Sequence, residues 1–487
     1  MTVGIVPFAA FTTLVLYHFY IKGGFLWDSG LLAFLIGESD PRLPTPGIIG
    51  GGSFFATHFT PIFLALSVIR RLLPVSNPQF FAMFTGLCHA LPGLAVFWIL
   101  YSGFRLHTPR GVIVAAGLSL GFSFNGLALA IALYPHFEML IVGAAVLFFV
   151  ALSQRRWMLA ACFFLVCLTT REDAGFHLFA VLFLLVALNR WRGIPWRQQR
   201  REMGFAIIAL AYSITALALQ HALFDNQSSF ARIYLGDPAF RKLSLALLAE
   251  RLLGYVEFRT YLVLPAIVTL FWAVYARNPY IVLGYAAFLP WSVLHLLADS
   301  DIAGTLSSYY AYPFLIASFW PLLGVLAGSP RREQPATGFA VLAFVAMIAG
   351  SFAARGYQAN PGGIKLPAAF VSLPSAARQT ATERAIGLLV QAKAKLGSVM
   401  VDGSVLALVP DGFSIKETFW ENSAGSPDTV IYFVAGYESD KARMVAEQAG
   451  LRSHYRVPGT SIQLATDRAL DAASPLAPLL APAEASE

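Results

Sequence analysis

Apolar runs near the length of a bilayer recur from Val3 to about Ala353, separated by short breaks that are polar or contain Pro and Gly. In a bilayer such runs must satisfy their own backbone polar groups, so a chain built from many of them is a polytopic helical bundle. Composition agrees. Over 487 residues the chain is 57% hydrophobic and 13% charged, with a mean hydropathy of +0.64, which excludes a soluble globular domain. A net charge of +7 would suit a nucleic-acid binder, but much of the Lys/Arg excess sits in short loops between apolar runs. It is an orientation signal, and no nucleic-acid partner is expected. Cys88, Cys162 and Cys167 lie inside apolar runs and match no metal-ligand spacing, which excludes a disulfide scaffold. The N-terminus lacks the basic residues and small-residue cleavage site of a signal peptide, so Val3–Ile21 reads as a retained first span.

Loop charge sets the topology, because short cytoplasmic loops carry the positive excess. The deciding segment is His58–Leu73, HFTPIFLALSVIRRLL. It offers only about ten apolar residues before Arg70-Arg71, fewer than the roughly 17 a crossing needs, so it reads as an interfacial helix. The loops holding Arg105 and Arg110, Arg155-Arg156, Arg190 to Arg201, Arg277 and Arg331-Arg332 then fall inside. YPHFE (Tyr134–Glu138), REDAG (Arg171–Gly175) and ADSDIAGTLSS (Ala298–Ser308) fall outside. About eleven spans result, near 3–21, 80–101, 112–133, 138–152, 157–170, 175–189, 203–223, 260–276, 279–297, 309–327 and 337–353. The N-terminus is expected inside and the C-terminus outside. Residues 1–353 thus form the membrane domain, with an outer loop at 22–79. Residues 354–390 read as a linker carrying helix, and 469–487 as a disordered Ala/Pro-rich tail. Residues 391–468 read as a small α/β domain: SVMVDGSVLALVP, DTVIYFVAG and SIQLAT are strand-like, and ESDKARMVAEQAG is helical, ending at Gly450. No internal repeat is evident, which weighs against a transporter built from two related halves.

This topology gathers Asp28, His58, His136, Glu138, Arg171, Glu172 and Asp173 on one side of the membrane, although they span 145 residues of sequence. Ionisable groups at span ends are costly unless paired, hydrated or used. Each has a structural alternative. Asp28 could cap a short helix, Ser29–Ile36, and Trp27 could be an interface anchor. His58 could mark the start of the interfacial helix. His136 and Glu138 would sit on different faces of a helix but could converge in a loop. Arg171-Glu172-Asp173 could be a self-satisfied ion pair, or Arg171 could hold a phosphate through its planar fork. The basic residues of loop 225–259 (Arg232, Arg241, Lys242, Arg251, Arg259) read as attraction to anionic headgroups in preference to a specific phosphate site.

The order of several motifs carries a resemblance: Asp28-Ser29-Gly30, His58-Phe59-Thr60-Pro61, His136-Phe137-Glu138, Arg171-Glu172-Asp173-Ala174, Tyr234-Leu235-Gly236, Ala276-Arg277-Asn278-Pro279 and Tyr310-Ala311-Tyr312-Pro313-Phe314. The chain resembles a family of polytopic prokaryotic membrane proteins, carrying a domain of unknown function, that is distantly similar to the GT-C glycosyltransferases. It departs from that family where Leu31-Leu32-Ala33 replaces a second Asp and where Tyr309-Tyr310 replaces a His-Tyr. The resemblance implies a GT-C-like bundle in the bacterial inner membrane. It also implies an outer-face glycosyltransferase using a polyprenyl-phosphate sugar, with membrane lipid as a partner. The role of base, or of group orienting the acceptor, passes to Asp28. Transfer needs a base, a cation for the departing phosphate and a dry cavity. Arg171 is the expected phosphate partner, His58 and Glu138 orient the acceptor or tune Asp28, and His136, Glu172 and Asp173 line the substrate site. Asp28 and Glu138 could instead hold a divalent cation. A transporter or flippase for a lipid-linked substrate and a non-catalytic scaffold are the alternatives.

Overall fold

The computed structural model describes residues 2–23, 27–38, 40–45, 52–224, 231–328, 337–352, 366–410, 417–418, 426–436, 439–468 and 481–482. Each of the eleven expected spans coincides with helix. The first is α1 (Thr2–Tyr17), extended by a π turn at His18–Lys22. Two short helices follow, α2 (Trp27–Gly37) and α3 (Ile62–Leu72), and then α4 (Asn77–Trp98), α5 (Pro109–Ser123), α6 (Gly126–Ala132) and α7 (Met139–Ser153). The bundle continues with α8 (Trp157–Thr170), α9 (Ala174–Trp191), α10 (Arg200–Phe224), α11 (Leu245–Phe258), α12 (Thr260–Tyr275), α13 (Leu283–Ala287) and α14 (Leu289–Leu296). It closes with α15 (Asp301–Gly304), α16 (Pro313–Gly328) and α17 (Thr337–Phe352).

Among the described residues, five helical stretches are individually long and apolar enough to cross: Thr2–Lys22, Asn77–Gly103, Ala174–Trp191, Arg200–Phe224 and Pro279–Leu296. Others are bent or short. α5 and α6 meet at 44°, where Asn125 caps α6 by accepting from Ala128 N–H at 2.9 Å. α11 turns 84° from α12, nearly at right angles to it. α7 is only 15 residues long, yet all of Met139–Leu152 is buried, so it is the central post of the bundle and shows no amphipathic period. The tenth apolar segment begins four residues later than expected. Pro313, which has no N–H to leave unsatisfied, opens α16 and leaves Tyr309, Tyr310 and Tyr312 outside it.

The segment expected to be an interfacial helix, His58–Leu73, contains α3. The helix starts at Ile62, exposes Leu64, Val68, Ile69 and Leu72, and buries Phe63 and Leu66 against the bundle. Two of the loop cations differ from expectation, while Arg241 and Lys242 are exposed: Arg251 is buried, donating to the Leu296 and Ala298 carbonyls at 2.9 and 2.7 Å, and Arg259 donates to Ser307 Oγ at 2.8 Å. These arginines tie α11 to the loop after α14. They are not free for headgroups. The side chain of Arg232 lies outside the described residues.

The C-terminal region comprises α18 (Leu366–Ala369), α19 (Ala376–Gln391), α20 (Lys393–Leu396), α21 (Gly403–Leu406), α22 (Ser439–Gln448) and one mixed sheet. Its strands are β1 (Val399–Val401), β2 (Glu417–Thr418), β3 (Thr429–Phe433), β4 (Ser453–Arg456), β5 (Ile462–Thr466) and β6 (Ala481–Pro482), ordered β2-β1-β3-β5-β4-β6. β1 runs parallel to β2 and β3; the other pairs are antiparallel. Only the first residues of SVMVDGSVLALVP are strand, because Asp402 accepts from Val405 N–H at 2.8 Å and starts α21. The stretch expected to be a linker contains α19, which packs on the first span: Tyr20 Oη bonds Glu383. The tail supplies β6. Strand alternation divides the sheet's two faces. Met400, Val430, Tyr432 and Ala465 pack on α22, whereas Val401, Ile431, Phe433 and Leu464 join the same core as α2 and α4.

Candidate active site

The segments following α1, α6, α8 and α14 meet at one end of the bundle. Ser29 Oγ donates to the Pro135 carbonyl at 2.7 Å. His58 Nδ1 lies 3.1 Å from Glu172 Oε1, and Phe59 N–H donates to Glu172 Oε2 at 2.9 Å. At the opposite end Trp98 Nε1 donates to Gln154 at 2.9 Å, and Arg156 and Arg201 cover Trp98 and Trp157.

All seven expected site residues are therefore brought to one place. Arg171 caps the C-terminus of α8 in extended backbone, and its guanidinium is shared among acids. Nε donates to Asp173 Oδ1 at 2.6 Å, Nη2 to Asp173 Oδ2, Nη1 contacts Glu138 Oε1, and Glu172 is 3.9 Å from Nε. Glu138 is fully buried. His136 Nδ1 is 3.0 Å from Glu138 Oε2 but out of line for a hydrogen bond. Burial lowers the His136 pKa to about 3, with Asp28 opposing, so the ring is neutral at neutral pH and the contact is not an ion pair. The self-satisfied ion-pair reading of Arg171-Glu172-Asp173 is realised, and Glu138 is added to it. The guanidinium expected to face a phosphate is committed to carboxylates. Glu138, considered as an oxygen ligand for a cation with Asp28, has that arginine on one oxygen.

Asp28 lies in the first turn of α2. It lies inside the helix, one residue past its first, and its carboxylate accepts no hydrogen bond among the described residues. Burial pushes its carboxyl above the ordinary value, with His136 and His58 pulling the other way. Gly24, Phe25, Leu26 and the side chain of Trp27 lie outside the described residues.

Sequence reasoning missed the aromatic wall. His136 stacks on Tyr309 at 4.1 Å and 15°, and Tyr309 on Tyr310 at 4.8 Å. His177 Nε2 is 2.7 Å from Tyr312 Oη and 3.8 Å from Asp173, while Trp291 packs on both His177 and His295. The i, i+4 spacing of Asp173 and His177 was the available signal; the tyrosines were hidden because they read as part of a span. Beside Glu172, a groove of about 420 Å³ runs between Phe59 and α10, lined by Ile208, Ala211, Tyr212, Thr215, Ala216 and Leu219.

Comparison of the whole chain with solved structures resolves the architecture. It superposes with a TM-score of 0.51, at 13% identity, on ArnT from Cupriavidus metallidurans in its crystal structure bound to undecaprenyl phosphate, covering 96% of this chain and 98% of that one. The chain has a GT-C glycosyltransferase fold. No protein-family model and no curated protein matches its sequence. In the GT-C frame, the loop carrying Asp28 is the first loop of the cluster-bearing end, and the C-terminal sheet covers that end.

Proposed function

We propose that the protein is a membrane glycosyltransferase that moves a sugar from a polyprenyl-phosphate donor to an acceptor at the extracytoplasmic face of a bacterial inner membrane. One observation carries this reading: a half-buried carboxylate, Asp28, without a hydrogen bond among the described residues, stands at the same end as a fixed acid–arginine cluster with an apolar groove alongside. The groove between Phe59 and α10 has the lining an isoprenoid chain needs, and it starts next to the residues a phosphate would meet. The neighbour's bound undecaprenyl phosphate supports a lipid of this class.

In this scheme Asp28 takes the proton of the acceptor hydroxyl as the acceptor oxygen bonds the anomeric carbon. The bond from that carbon to the donor phosphate breaks, and polyprenyl phosphate leaves. A base whose pKa is raised toward working pH transfers protons more effectively. His58 is oriented by Glu172 through Nδ1, which leaves Nε2 as the ring nitrogen available to the departing phosphate. Arg171 holds Glu138 and Asp173 in place and sets the floor of the cavity; it is not assigned to the phosphate. His136, stacked on Tyr309, forms the wall beside Asp28. Ionisable groups gathered at one end favour transfer over alternating access, in which they would lie near the midplane on broken helices; the break between α5 and α6 carries Asn125.

The test compares wild type with Asp28→Asn in membranes supplied with radiolabelled polyprenyl-phosphate sugars. Loss of a general base lowers turnover by about 10²–10⁴-fold. Equal turnover by two folded proteins removes Asp28 from the chemistry and the proposal with it.

A further inference from the structure

Three consecutive residues of α2, about 100° apart around the helix, have three different engagements. Asp28 is left without a hydrogen bond among the described residues, Ser29 holds the Pro135 carbonyl, and Gly30 meets the C-terminal domain. The last is the closest. A Cβ on Gly30 would fall 1.5 Å from the Gly403 carbonyl oxygen, so the α2 backbone rests directly on α21. α21 is itself fixed. Asp402 Oδ2 accepts from Phe433 N–H at 2.8 Å while Oδ1 caps the turn, and Asp402 N–H donates to the Ile431 carbonyl at 3.0 Å, which ties Gly403 to β3.

The same domain also grips the chain on the other side of Asp28. Arg378 Nε donates to the Tyr20 carbonyl at 2.9 Å and Nη2 to Ser461 Oγ at 2.7 Å, and Ser461 Oγ donates to the Ile21 carbonyl at 2.7 Å. Gly23, in the left-handed region at φ +61°, has no room for a Cβ beside Phe433, and a Cβ on Gly436 would lie 2.5 Å from the Gly23 oxygen. The backbone is thus held at 20–23 by α19 and the sheet's turns and again at 30 by α21, with Asp28 between the two grips.

We infer that the C-terminal domain is the positioning element for Asp28, and that Gly30 and Gly403 are the positioning residues through which it acts. The inference rests on the reading of Asp28 as the working acid, but the placement it describes is measurable without any sugar donor. Adding a methyl at Gly30 requires α2 to lift by about 2 Å before ordinary contact is restored, since the Gly403 carbonyl is anchored.

The experiment uses the full chain in membranes with the exposed Cys162 replaced by Ser. An Asp28→Cys probe is labelled with an impermeant maleimide, with and without Gly30→Ala. Gly117→Ala, on a helix face with nothing within 4 Å, serves as control. The expected result is a changed labelling rate with Gly30→Ala and none with Gly117→Ala. In the chain retaining Asp28, Gly30→Ala is expected to lower turnover by about 100-fold, the cost of a roughly 1 Å misplacement, while binding of undecaprenyl phosphate persists. Arg378→Gln with Ser461→Ala opens the second grip and is expected to shift labelling of the Asp28→Cys probe in the same way, so a Gly30→Ala protein that does not fold leaves this arm to decide. An unchanged labelling rate in a folded variant of either kind overturns the inference. Absence of turnover in wild type, with labelling shifted as expected, would instead count against the proposed activity alone.

Discussion

Replacing Arg171 with Gln separates a cluster-holding role from a phosphate-binding one. The guanidinium serves Asp173 through two hydrogen bonds and contacts Glu138, which has no solvent exposure, with Glu172 3.9 Å away. Removing one member of a buried ion pair costs about 3–5 kcal/mol, because the other charge is left uncompensated. Here two carboxylates are stranded, against a total stability of about 5–15 kcal/mol. The loss depends on pH in a definite direction. Burial pushes the Asp173 carboxyl up, but Arg171 and then His177 outweigh it and hold the group well below its ordinary range. Its stabilising contribution is therefore fully present above the unfolded value of about 3.9 and is lost as pH falls below it. Without Arg171 the stranded acids favour protonation, so the deficit of Arg171→Gln is largest at neutral pH and shrinks on acidification toward that value. Adding Glu138→Gln should recover part of the loss, a coupling of about 0.5–3 kcal/mol. Thermal melts of the detergent-solubilised protein, followed by size-exclusion fluorescence at several pH values, compare wild type with Arg171→Gln, Glu138→Gln and the double variant. An Arg171→Gln protein that melts with wild type at neutral pH, or whose deficit grows on acidification, refutes the assignment.

Three further outcomes follow from the same geometry. Cysteines placed at His107 and Asp301, both exposed, should label from opposite sides of sealed vesicles with an impermeant reagent; labelling from one side would overturn the topology. The acid limb of kcat/KM should have a midpoint above the ordinary Asp value of about 3.9, because burial raises Asp28 and only its ionised form accepts the proton; a limb at or below that value would point to another base. Gly126→Ala, whose Cβ would lie 1.8 Å from the Ser351 carbonyl, should destabilise the protein by about 1–3 kcal/mol while Gly117→Ala does not, as paired thermal melts would show.

Much of the bundle was legible because hydropathy is a local property. Runs such as Thr2–Lys22 and Asn77–Gly103 announce themselves without reference to partners, and loop arginines order the ends. The gathering of Asp28, His58, His136, Glu138 and Arg171–Asp173 at one end followed from counting spans, given the choice to keep His58–Leu73 from crossing. Pairings were not legible. Arg171 reads as free for phosphate until Glu138, 33 residues away, is seen beside it. Tyr309 and Tyr310 looked like the start of a span because aromatic residues suit both a bilayer interface and a cavity wall. Arg251 and Arg259 looked like surface charge because nothing in α11 shows that carbonyls about 45 residues later complete their hydrogen bonds.

By itself the sequence determined the membrane bundle, the gathering of its polar loops at one end, and the presence of an α/β region after it. Each follows from the free energy of moving apolar and charged groups between water and lipid, which a short window of residues carries. Tertiary structure decided which acids the arginine is committed to, that Asp28 has no hydrogen bond among the described residues, and that α2 rests on the backbone of α21. Those outcomes depend on close approach between segments hundreds of residues apart, such as Gly30 and Gly403, where a single methyl group is the difference between contact and clash.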